Sequence, residues 1–350
     1  MTEIIGVNPV NPEMELIKRA ADAIRSGGTV AFPTETVYGI GANAFDNAAC
    51  MKIFKAKGRP VDNPLIVHIV SMQQLHDVAT DVPDAITKAL KVVWPGPITL
   101  ILKKSQRMPD AVTASLVTVA VRMPAHPVAL RLIEASSVPI AAPSANASTR
   151  PSPSRASHVL QDLNGKVDMI LDGGETAFGL ESTIIDATSE RCRLLRPGAF
   201  TVEELERYFG KIDVPKSINV TLKESEVAIA PGMKYRHYAP KKRLVAADRD
   251  AITGAADKLS STTVMCSNQV ADTLSKQVET IRLGDEANLY EIAKNLFDAL
   301  RNLDKSKTDA GIIQTFPERG IGFAIMNRVL KASGAKPAHT PEELLEMLAT

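Results

Sequence analysis

Cysteine is scarce in this chain, with three residues, Cys50, Cys192 and Cys266, among 350. They are widely separated and form no C-x-x-C pair, which argues against a disulfide framework and a thiolate zinc site. Such sparing use of cysteine is typical of a reducing compartment, so we expect a cytoplasmic protein.

Metal-binding, membrane-spanning and polyanion-binding patterns are also missing. The six histidines form no H-E-x-x-H motif, so we expect any metal to arrive with a phosphate ligand rather than to be held by protein side chains. No stretch approaches the roughly 20 apolar residues of a membrane span, and we expect no membrane contact. The 41 basic and 40 acidic side chains nearly cancel, which leaves room for at most a weak, local contact with nucleic acid.

The chain does contain enough apolar residues, 45% of the total, for packed cores, and its length favours two domains. Strands and helices interleave irregularly over residues 1–210, which predicts an α/β domain with a large, twisted, mixed sheet. Residues 211–240 are rich in turn formers and charges and predict a linker. Regular βα repetition over residues 241–350 predicts a smaller Rossmann-like α/β domain with a parallel sheet.

The apolar patterns also predict individual elements. Strands are expected at 29–32, 65–70, 98–102, 117–122, 139–142, 167–171, 182–186 and 193–196, then at 243–247, 262–266, 279–283 and 310–314. Helices are expected between Pro12 and Gly27, at 47–57, 83–93, 126–135 and 154–163, from a capping box at Thr201 to about Phe209, and at 250–259, 268–276 and 288–303.

The first polar loop lies in PTETVYGIG, residues 33–41, directly after a predicted strand. Its hydroxyl groups, including that of Thr36, lie where open α/β sheets bind small polar ligands. An ordinary tight turn explains the segment equally well when it is taken alone.

A second polar loop, KGRPVDNP at residues 57–64, contains Lys57, Arg59 and Asn63. An ammonium, a guanidinium and an amide suit the oxygens of a polyphosphate. The alternative is that Lys55 and Lys57 merely complement the C-terminal dipole of the preceding helix.

A third loop follows the strand at 139–142 and contains small and hydroxyl-bearing residues, with Ser152 shortly afterwards. The Ser144 hydroxyl and the Asn146 amide are neutral ligands for a phosphate or for a magnesium ion that it carries. A serine-rich surface loop is the alternative.

Arg122 and His68 lie within otherwise apolar strands. A buried guanidinium needs a carboxylate partner, which either a substrate or the protein must supply. For His68, a hydrogen-bonded core histidine is the commoner outcome. The chain has neither G-x-S-x-G nor G-x-x-x-x-G-K-[ST], so cations combined with hydroxyls favour nucleotidyl or phosphoryl transfer by positioning and charge neutralisation.

These loops, with WPGPITLIL at 94–102, VRMP at 121–124, ESTIID at 181–186 and RPG at 196–198, resemble the YrdC-like threonylcarbamoyl-adenylate synthase family. PGMKYRHYAP at 231–240 is similar to the linker of its longer, two-domain form. The resemblance implies an ATP-consuming nucleotidyltransferase that makes threonylcarbamoyl-AMP and pyrophosphate from L-threonine, bicarbonate and ATP. A downstream enzyme would transfer the threonylcarbamoyl group to tRNA.

The same resemblance implies roles for individual residues. Catalysis would involve Lys57, Arg59, Ser144 and Asn146. ATP would be bound by Arg59, Asn63, Thr118, Ser144, Ser152, Arg196, Tyr235 and His237. L-threonine would be bound by Thr36, His68, Arg122, Ala142 and Ser182. Residues 235–238 would fold over the site as a lid that excludes water.

Two other functions compete with this interpretation. A tRNA-binding module is disfavoured by the near-neutral charge. A carbamoyl-transfer domain of hydrogenase maturation would carry cysteine-rich zinc motifs, which this sequence lacks.

Overall fold

The computed structural model describes residues 1–216, 218, 228–230, 237–334 and 336–349. These residues form two compact units. The first contains 1–148, 152–216, 218 and 228–230, and the second contains 149–151, 237–334 and 336–349.

The first unit is built on a mixed sheet of eleven strands. The strands are β1 (Glu3–Gly6), β2 (Val30–Phe32), β3 (Gly39–Asn43), β4 (Ile66–His68), β5 (Ala79–Thr80), β6 (Ile98–Lys104), β7 (Thr118–Arg122), β8 (Ile140–Ala141), β9 (Met169–Asp172), β10 (Thr183–Asp186) and β11 (Arg193–Arg196). Their order is β1-β9-β2-β3-β8-β4-β7-β6-β10-β11, and β5 pairs with β6. The predicted mixed sheet is confirmed.

The centre of this sheet brings the sequence motifs together. β4 pairs in parallel with β7 and antiparallel with β8, which in turn pairs antiparallel with β3. The register places His68 opposite Arg122, so the two polar residues of these apolar strands are neighbours. The loops that precede β3 and β4 and follow β8 can therefore meet.

Eight helices accompany the described part of this sheet. They are α1 (Met14–Arg25), α2 (Asn47–Lys57), α3 (Met72–Val78), α4 (Asp84–Val93), α5 (Asp110–Thr113), α6 (Pro127–Ser136), α7 (Ala156–Leu163) and α8 (Val202–Phe209). Ile17 and Ile24 of α1 share a fully buried core with Leu132 of α6 and Phe32 of β2. The predicted capping box at Thr201 is confirmed, with reciprocal hydrogen bonds to Glu204.

The second unit has a four-stranded sheet that is parallel throughout, as predicted. Its strands are β12 (Arg243–Ala247), β13 (Thr262–Cys266), β14 (Glu279–Arg282) and β15 (Ala310–Gln314), in the order β12-β15-β13-β14. Its α-helices are α9 (Arg249–Gly254), α10 (Asn268–Ala271), α11 (Leu289–Leu303), α12 (Ile321–Ser333) and α13 (Pro341–Ala349). Residues 149–151 belong here because Arg150 pairs with Asp304 at 3.0 Å and Arg301 donates to the Pro151 carbonyl at 2.6 Å.

Several elements differ from the sequence prediction. The helix expected at 268–276 ends at Ala271, where Thr273 turns its hydroxyl back to the Val270 carbonyl. The helix expected at 250–259 divides into α9 and a 3-10 turn, Ala256–Lys258. β3 was not predicted, since GIGAN contains two glycines, and neither were β1, α12 and α13.

All three cysteines are buried and form no disulfide bond with one another. Burial raises the pKa of the Cys50 and Cys266 thiols to about 12 and that of Cys192 to about 11. Within the described ranges, none of the helices has the length and apolar character needed to cross a bilayer.

Candidate active site

Lys57 is the last residue of α2, and its side chain is 4% exposed. Gly58 follows in the left-handed conformation, with φ of 64°, and ends the helix. The Lys57 ammonium donates to the carbonyl of Ser144 and, at 2.5 Å, to that of Asn146. Lys57 therefore does more than complement its own helix dipole, whereas Lys55 is exposed.

Arg59 organises the loop that leads into β4. Its Nε donates to the Asn63 carbonyl at 3.1 Å, and its Nη2 donates to Asn63 Oδ1 at 2.6 Å and to the Pro64 carbonyl at 2.9 Å. The second predicted polar loop is thus held in one conformation by its own guanidinium. Asn63 is buried.

Two backbone hydrogen bonds, one of them from Ile40 N–H to the Pro143 carbonyl at 3.0 Å, link the first and third polar loops. Ala145 donates its N–H to the Tyr38 carbonyl at 2.8 Å, and Gly39 forms a bridge with Ser144. Residues 33–38 therefore lie beside the carbonyl groups that accept hydrogen bonds from the Lys57 ammonium. The Tyr38 hydroxyl fixes the far side of this loop by donating to the Gly174 carbonyl at 2.6 Å.

Arg122, at the end of β7, is a second buried cation of the site and is 3% exposed. Its Nη2 lies 2.6 Å from Glu35 Oε1, its Nη1 donates to Thr36 Oγ1 at 2.9 Å, and its Nε donates to the Gly96 carbonyl at 3.4 Å. The carboxylate partner predicted for Arg122 exists and is the protein's own. Sequence reasoning did not single out Glu35, although it is the one carboxylate in PTETVYGIG.

His68 is a buried histidine with a hydrogen-bond partner. Its Nδ1 lies 3.2 Å from the Ile66 carbonyl oxygen. Burial, reinforced by the positive charge of Arg122, lowers the pKa of His68 to about 3. The ring is therefore neutral at physiological pH, and it adds no charge beside Arg122.

Arg196 and Ser182 are hydrogen-bonded to each other, although the sequence analysis assigned them to different substrates. Arg196 Nε and Nη2 donate to the Ser182 carbonyl at 3.1 and 2.9 Å, and Nη2 also lies 3.2 Å from Ser182 Oγ. Thr99 Oγ1 is 2.8 Å from Ser182 Oγ on its other side. Thr99 was not predicted, since a threonine in an apolar strand looks like a β-former.

The remaining predicted residues have the following positions. Ala142 is buried and donates its N–H to the Ile66 carbonyl at 2.8 Å. Ser152 donates to Glu181 Oε1 at 2.5 Å, a partner that the sequence did not reveal. Thr118 begins β7, four residues before Arg122 and therefore about 13 Å from it along the strand. His237 belongs to the second unit, and Tyr235 lies outside the described residues.

The oxygen atoms that surround Lys57 are neutral. In the part of the chain that the structure describes, no three His, Cys, Asp or Glu side chains gather in a metal-binding arrangement. The oxygens around the Lys57 ammonium are the backbone carbonyls of Ser144 and Asn146 and the side-chain amide oxygen of Asn146. Such oxygens suit a hard cation that arrives with its own phosphate ligands.

Comparison with known proteins agrees with this architecture. The family described as Telomere recombination matches residues 22–198, and the one described as Threonylcarbamoyl-AMP synthase, C-terminal domain, matches 200–334. The threonylcarbamoyl-AMP synthase of Pyrococcus abyssi is 47% identical over 95% of this chain and 98% of that one. The Bacillus subtilis protein of the same name is 43% identical over 91% of this chain and 93% of that one. The crystal structure of P. abyssi Sua5 complexed with L-threonine is 46% identical with a TM-score of 0.90, covering 97% of this chain and 100% of that one.

The chain is a two-domain YrdC-like α/β protein. Its first unit has a mixed sheet with buried cations and hydroxyls in the loops, and its second unit has a parallel sheet. The family matches and the extensive identities lead to a more specific conclusion. The chain belongs to the threonylcarbamoyl-AMP synthase family.

Proposed function

We propose that this protein is an L-threonylcarbamoyladenylate synthase, a nucleotidyltransferase that makes threonylcarbamoyl-AMP and pyrophosphate from L-threonine, bicarbonate and ATP. The observation that carries the proposal is the Tyr38–Ala145 hydrogen bond of 2.8 Å. It places a loop that contacts buried Arg122 beside a loop that contacts buried Lys57. The proposed amino-acid-binding and phosphate-binding residues are thereby adjacent within the first unit.

On the nucleotide side, Lys57, Arg59, Ser144 and Asn146 are proposed as the catalytic set. Asn63, Thr118, Ser152, Arg196, Tyr235 and His237 are proposed as further ATP contacts. Cations and hydroxyls that are already fixed before the reaction stabilise developing phosphate charge without reorganisation. Magnesium bound to ATP would neutralise part of the triphosphate charge, and the Ser144 and Asn146 oxygens are suitable ligands for it.

On the amino-acid side, Arg122 would bind the threonine carboxylate, since a guanidinium is the best partner for that group. Thr36, His68, Ala142 and Ser182 would line the rest of the pocket. The neutral imidazole of His68 can donate or accept one hydrogen bond to the threonine hydroxyl without adding charge. The crystal structure of a relative contains L-threonine, which supports threonine as the ligand.

The proposed reaction has three steps. Bicarbonate first takes up a proton and loses water to give carbon dioxide. The threonine ammonium loses a proton, its nitrogen forms a bond to the carbon of carbon dioxide, and a second proton leaves that nitrogen to give the carbamate. A carbamate oxygen then attacks the α-phosphorus of ATP, a new P–O bond forms, and the bond to pyrophosphate breaks. Lys57 and Arg59 would hold the phosphates in line during this displacement.

The product is a mixed anhydride that water destroys, so the site must exclude solvent while it forms. We propose that residues 211–240 connect a catalytic domain, 1–210, to the second domain, 241–350, and that residues 235–238 act as a lid. A downstream transfer enzyme would then use the product to modify tRNA. Of the four residues of the proposed lid, the structure describes His237 and Tyr238, and residues 235 and 236 lie outside the described ranges.

The function is tested by pyrophosphate release from the purified full-length chain. Release should require ATP, magnesium, bicarbonate and L-threonine together, and threonylcarbamoyl-AMP should accumulate, as identified by mass spectrometry. Omission of threonine, or its replacement by valine, should remove most of the signal, because valine lacks the hydroxyl group. Pyrophosphate release that is indifferent to threonine would refute the proposal.

A further inference from the structure

The carboxylate of Glu35 is a buried charge that the fold leaves incompletely satisfied. Glu35 is 7% exposed, and neither of its oxygens receives a hydrogen bond from any described residue. Arg122 Nη2 lies 2.6 Å from Glu35 Oε1, but the two atoms are not aligned for a hydrogen bond, and Nη2 has no other hydrogen-bond partner among the described residues. Buried charged groups nearly always have hydrogen-bond partners, so this adjacent donor and acceptor point to a ligand.

Glu35 and Arg122 form an electrically neutral pair, and the two histidines near them do not change that balance. His68, beside Arg122, is neutral because burial lowers its pKa to about 3. His126 lies near Glu35, and burial lowers its pKa despite the opposing effect of the Glu35 charge. The pair thus presents one positive and one negative group, and its net charge matches a ligand that also carries one of each.

The orientation of the pair is fixed from one side. Thr36 Oγ1 and the Gly96 carbonyl hold Nη1 and Nε of Arg122 at 2.9 and 3.4 Å. Thr34 Oγ1 is 2.8 Å from Thr36 Oγ1, and the Glu35 backbone carbonyl accepts from Phe178 N–H at 2.9 Å. The protein therefore holds the Glu35 backbone and the Arg122 guanidinium in place while Nη2 and both Glu35 oxygens remain to be satisfied.

An α-amino acid carries an ammonium and a carboxylate on the same carbon atom, which is the complementary arrangement of charges. We propose that Glu35 is a substrate-binding residue that receives the ammonium group of the amino acid, while Arg122 Nη2 receives its carboxylate. The inference rests on the proposed function for the identity of the amino acid, threonine. It adds the residue that distinguishes an α-amino acid from the same acid without its amine.

The competing explanation is that Glu35 has a structural role and merely orients Arg122. The two explanations differ in what happens to a ligand without an amine. If Glu35 binds the ammonium, its loss weakens ligands that carry the amine and spares those that lack it. If Glu35 only positions Arg122, its loss weakens every ligand that has a carboxylate.

The experiment is titration calorimetry on the full-length protein without ATP or bicarbonate, with two ligands. L-threonine carries the amine, and (R)-3-hydroxybutanoate is the same molecule without it. The variants are Glu35→Gln, which removes the charge, Glu35→Asp, which retains a shorter carboxylate, and Glu134→Gln, which removes an exposed carboxylate of the same domain as a control. Circular dichroism establishes that each variant is folded.

Glu35→Gln is expected to weaken threonine binding roughly 10- to 100-fold, the effect of losing a charged hydrogen bond. Its binding of (R)-3-hydroxybutanoate should be unchanged or tighter, since the ligand carboxylate no longer faces a negative charge. Glu35→Asp should recover part of the threonine affinity. Equal weakening of both ligands by Glu35→Gln would overturn the inference in favour of the orienting role.

A second measurement needs no variant and applies even if Glu35→Gln does not fold. The wild-type protein should bind (R)-3-hydroxybutanoate at least roughly tenfold more weakly than threonine, and equal affinities would overturn the inference. Failure of the proposed function looks different. In that case threonine binds in a Glu35-dependent manner, but no threonine-dependent pyrophosphate is released.

Discussion

The ammonium of Lys57 lies 2.5 Å from the backbone carbonyl of Asn146, so the end of α2 is joined to a loop 89 positions further along the chain. A buried lysine that already has two carbonyl partners is held rigidly. The Lys57 ammonium thus holds two loops together, and it is also a proposed ligand for phosphate.

Lys57→Ala should lower pyrophosphate release by more than about 100-fold, because charge neutralisation and loop position are lost together. Lys57→Arg should not restore activity, since the planar guanidinium does not fit a site built around a point charge. Lys55→Ala is the matched control on the exposed side of the same helical turn and should retain activity. Steady-state kinetics with varied ATP would measure both effects, and substantial activity in Lys57→Ala would contradict the prediction.

Ser182→Ala should raise the KM for ATP and the KM for threonine together. The Ser182 hydroxyl lies between Thr99 Oγ1 and Arg196 Nη2, so its removal disturbs a residue proposed for each substrate. Loss of one such hydrogen bond corresponds to roughly a 2- to 13-fold change. Ser189→Ala, which changes an exposed serine, is the control. A change confined to one substrate would show that Ser182 and Arg196 act separately.

Stability should fall in acid partly because of His68. Its pKa in the folded protein is about 3, below the ordinary value of 6.5, so between these pH values the unfolded chain binds a proton that the folded chain does not. The unfolding free energy therefore rises with pH across this window, and the contribution is constant above it. His68→Leu should reduce the difference in urea stability between about pH 5 and about pH 8. His76→Leu, which removes an exposed imidazole, is the control, and an unchanged difference in His68→Leu would refute the assignment.

Gly41→Ala should destabilise the first domain by about 1–3 kcal/mol through overpacking. A Cβ at this position would lie 2.5 Å from Ile140 Cγ2 and 2.7 Å from Phe32 Cε1, both in the buried core. Gly39→Ala is the matched variant two residues earlier, where the nearest atoms are at an ordinary 3.4 Å. Thermal unfolding of the two variants should separate them clearly, and equal losses would show that the strand adjusts to a methyl group.

The sequence predicted the two sheets because their strands are apolar runs of the expected length. β12, β13 and β15 have the predicted bounds, since alternating βα segments define both ends of each strand. β3 escaped prediction because Gly41 packs closely against Phe32 and Ile140, a tertiary contact that the local sequence does not reveal.

The candidate site was predictable to a similar extent. Chemistry alone indicated that Arg122 needs a carboxylate, and the structure contains one. The identity of that carboxylate was not predictable, because residues 35 and 122 meet through strand order rather than through spacing in the sequence. The same reason explains why the contacts of Ser152 with Glu181 and of Ser182 with Thr99 were missed.

The burial of all three thiols has a practical consequence for studying motion in this protein. A thiolate is the reactive form, and the raised pKa of Cys50, Cys192 and Cys266 keeps each protonated at neutral pH. A single cysteine introduced at an exposed position would therefore react with a maleimide dye far faster than the native three. Fluorescent reporters can thus be attached without first removing any natural residue.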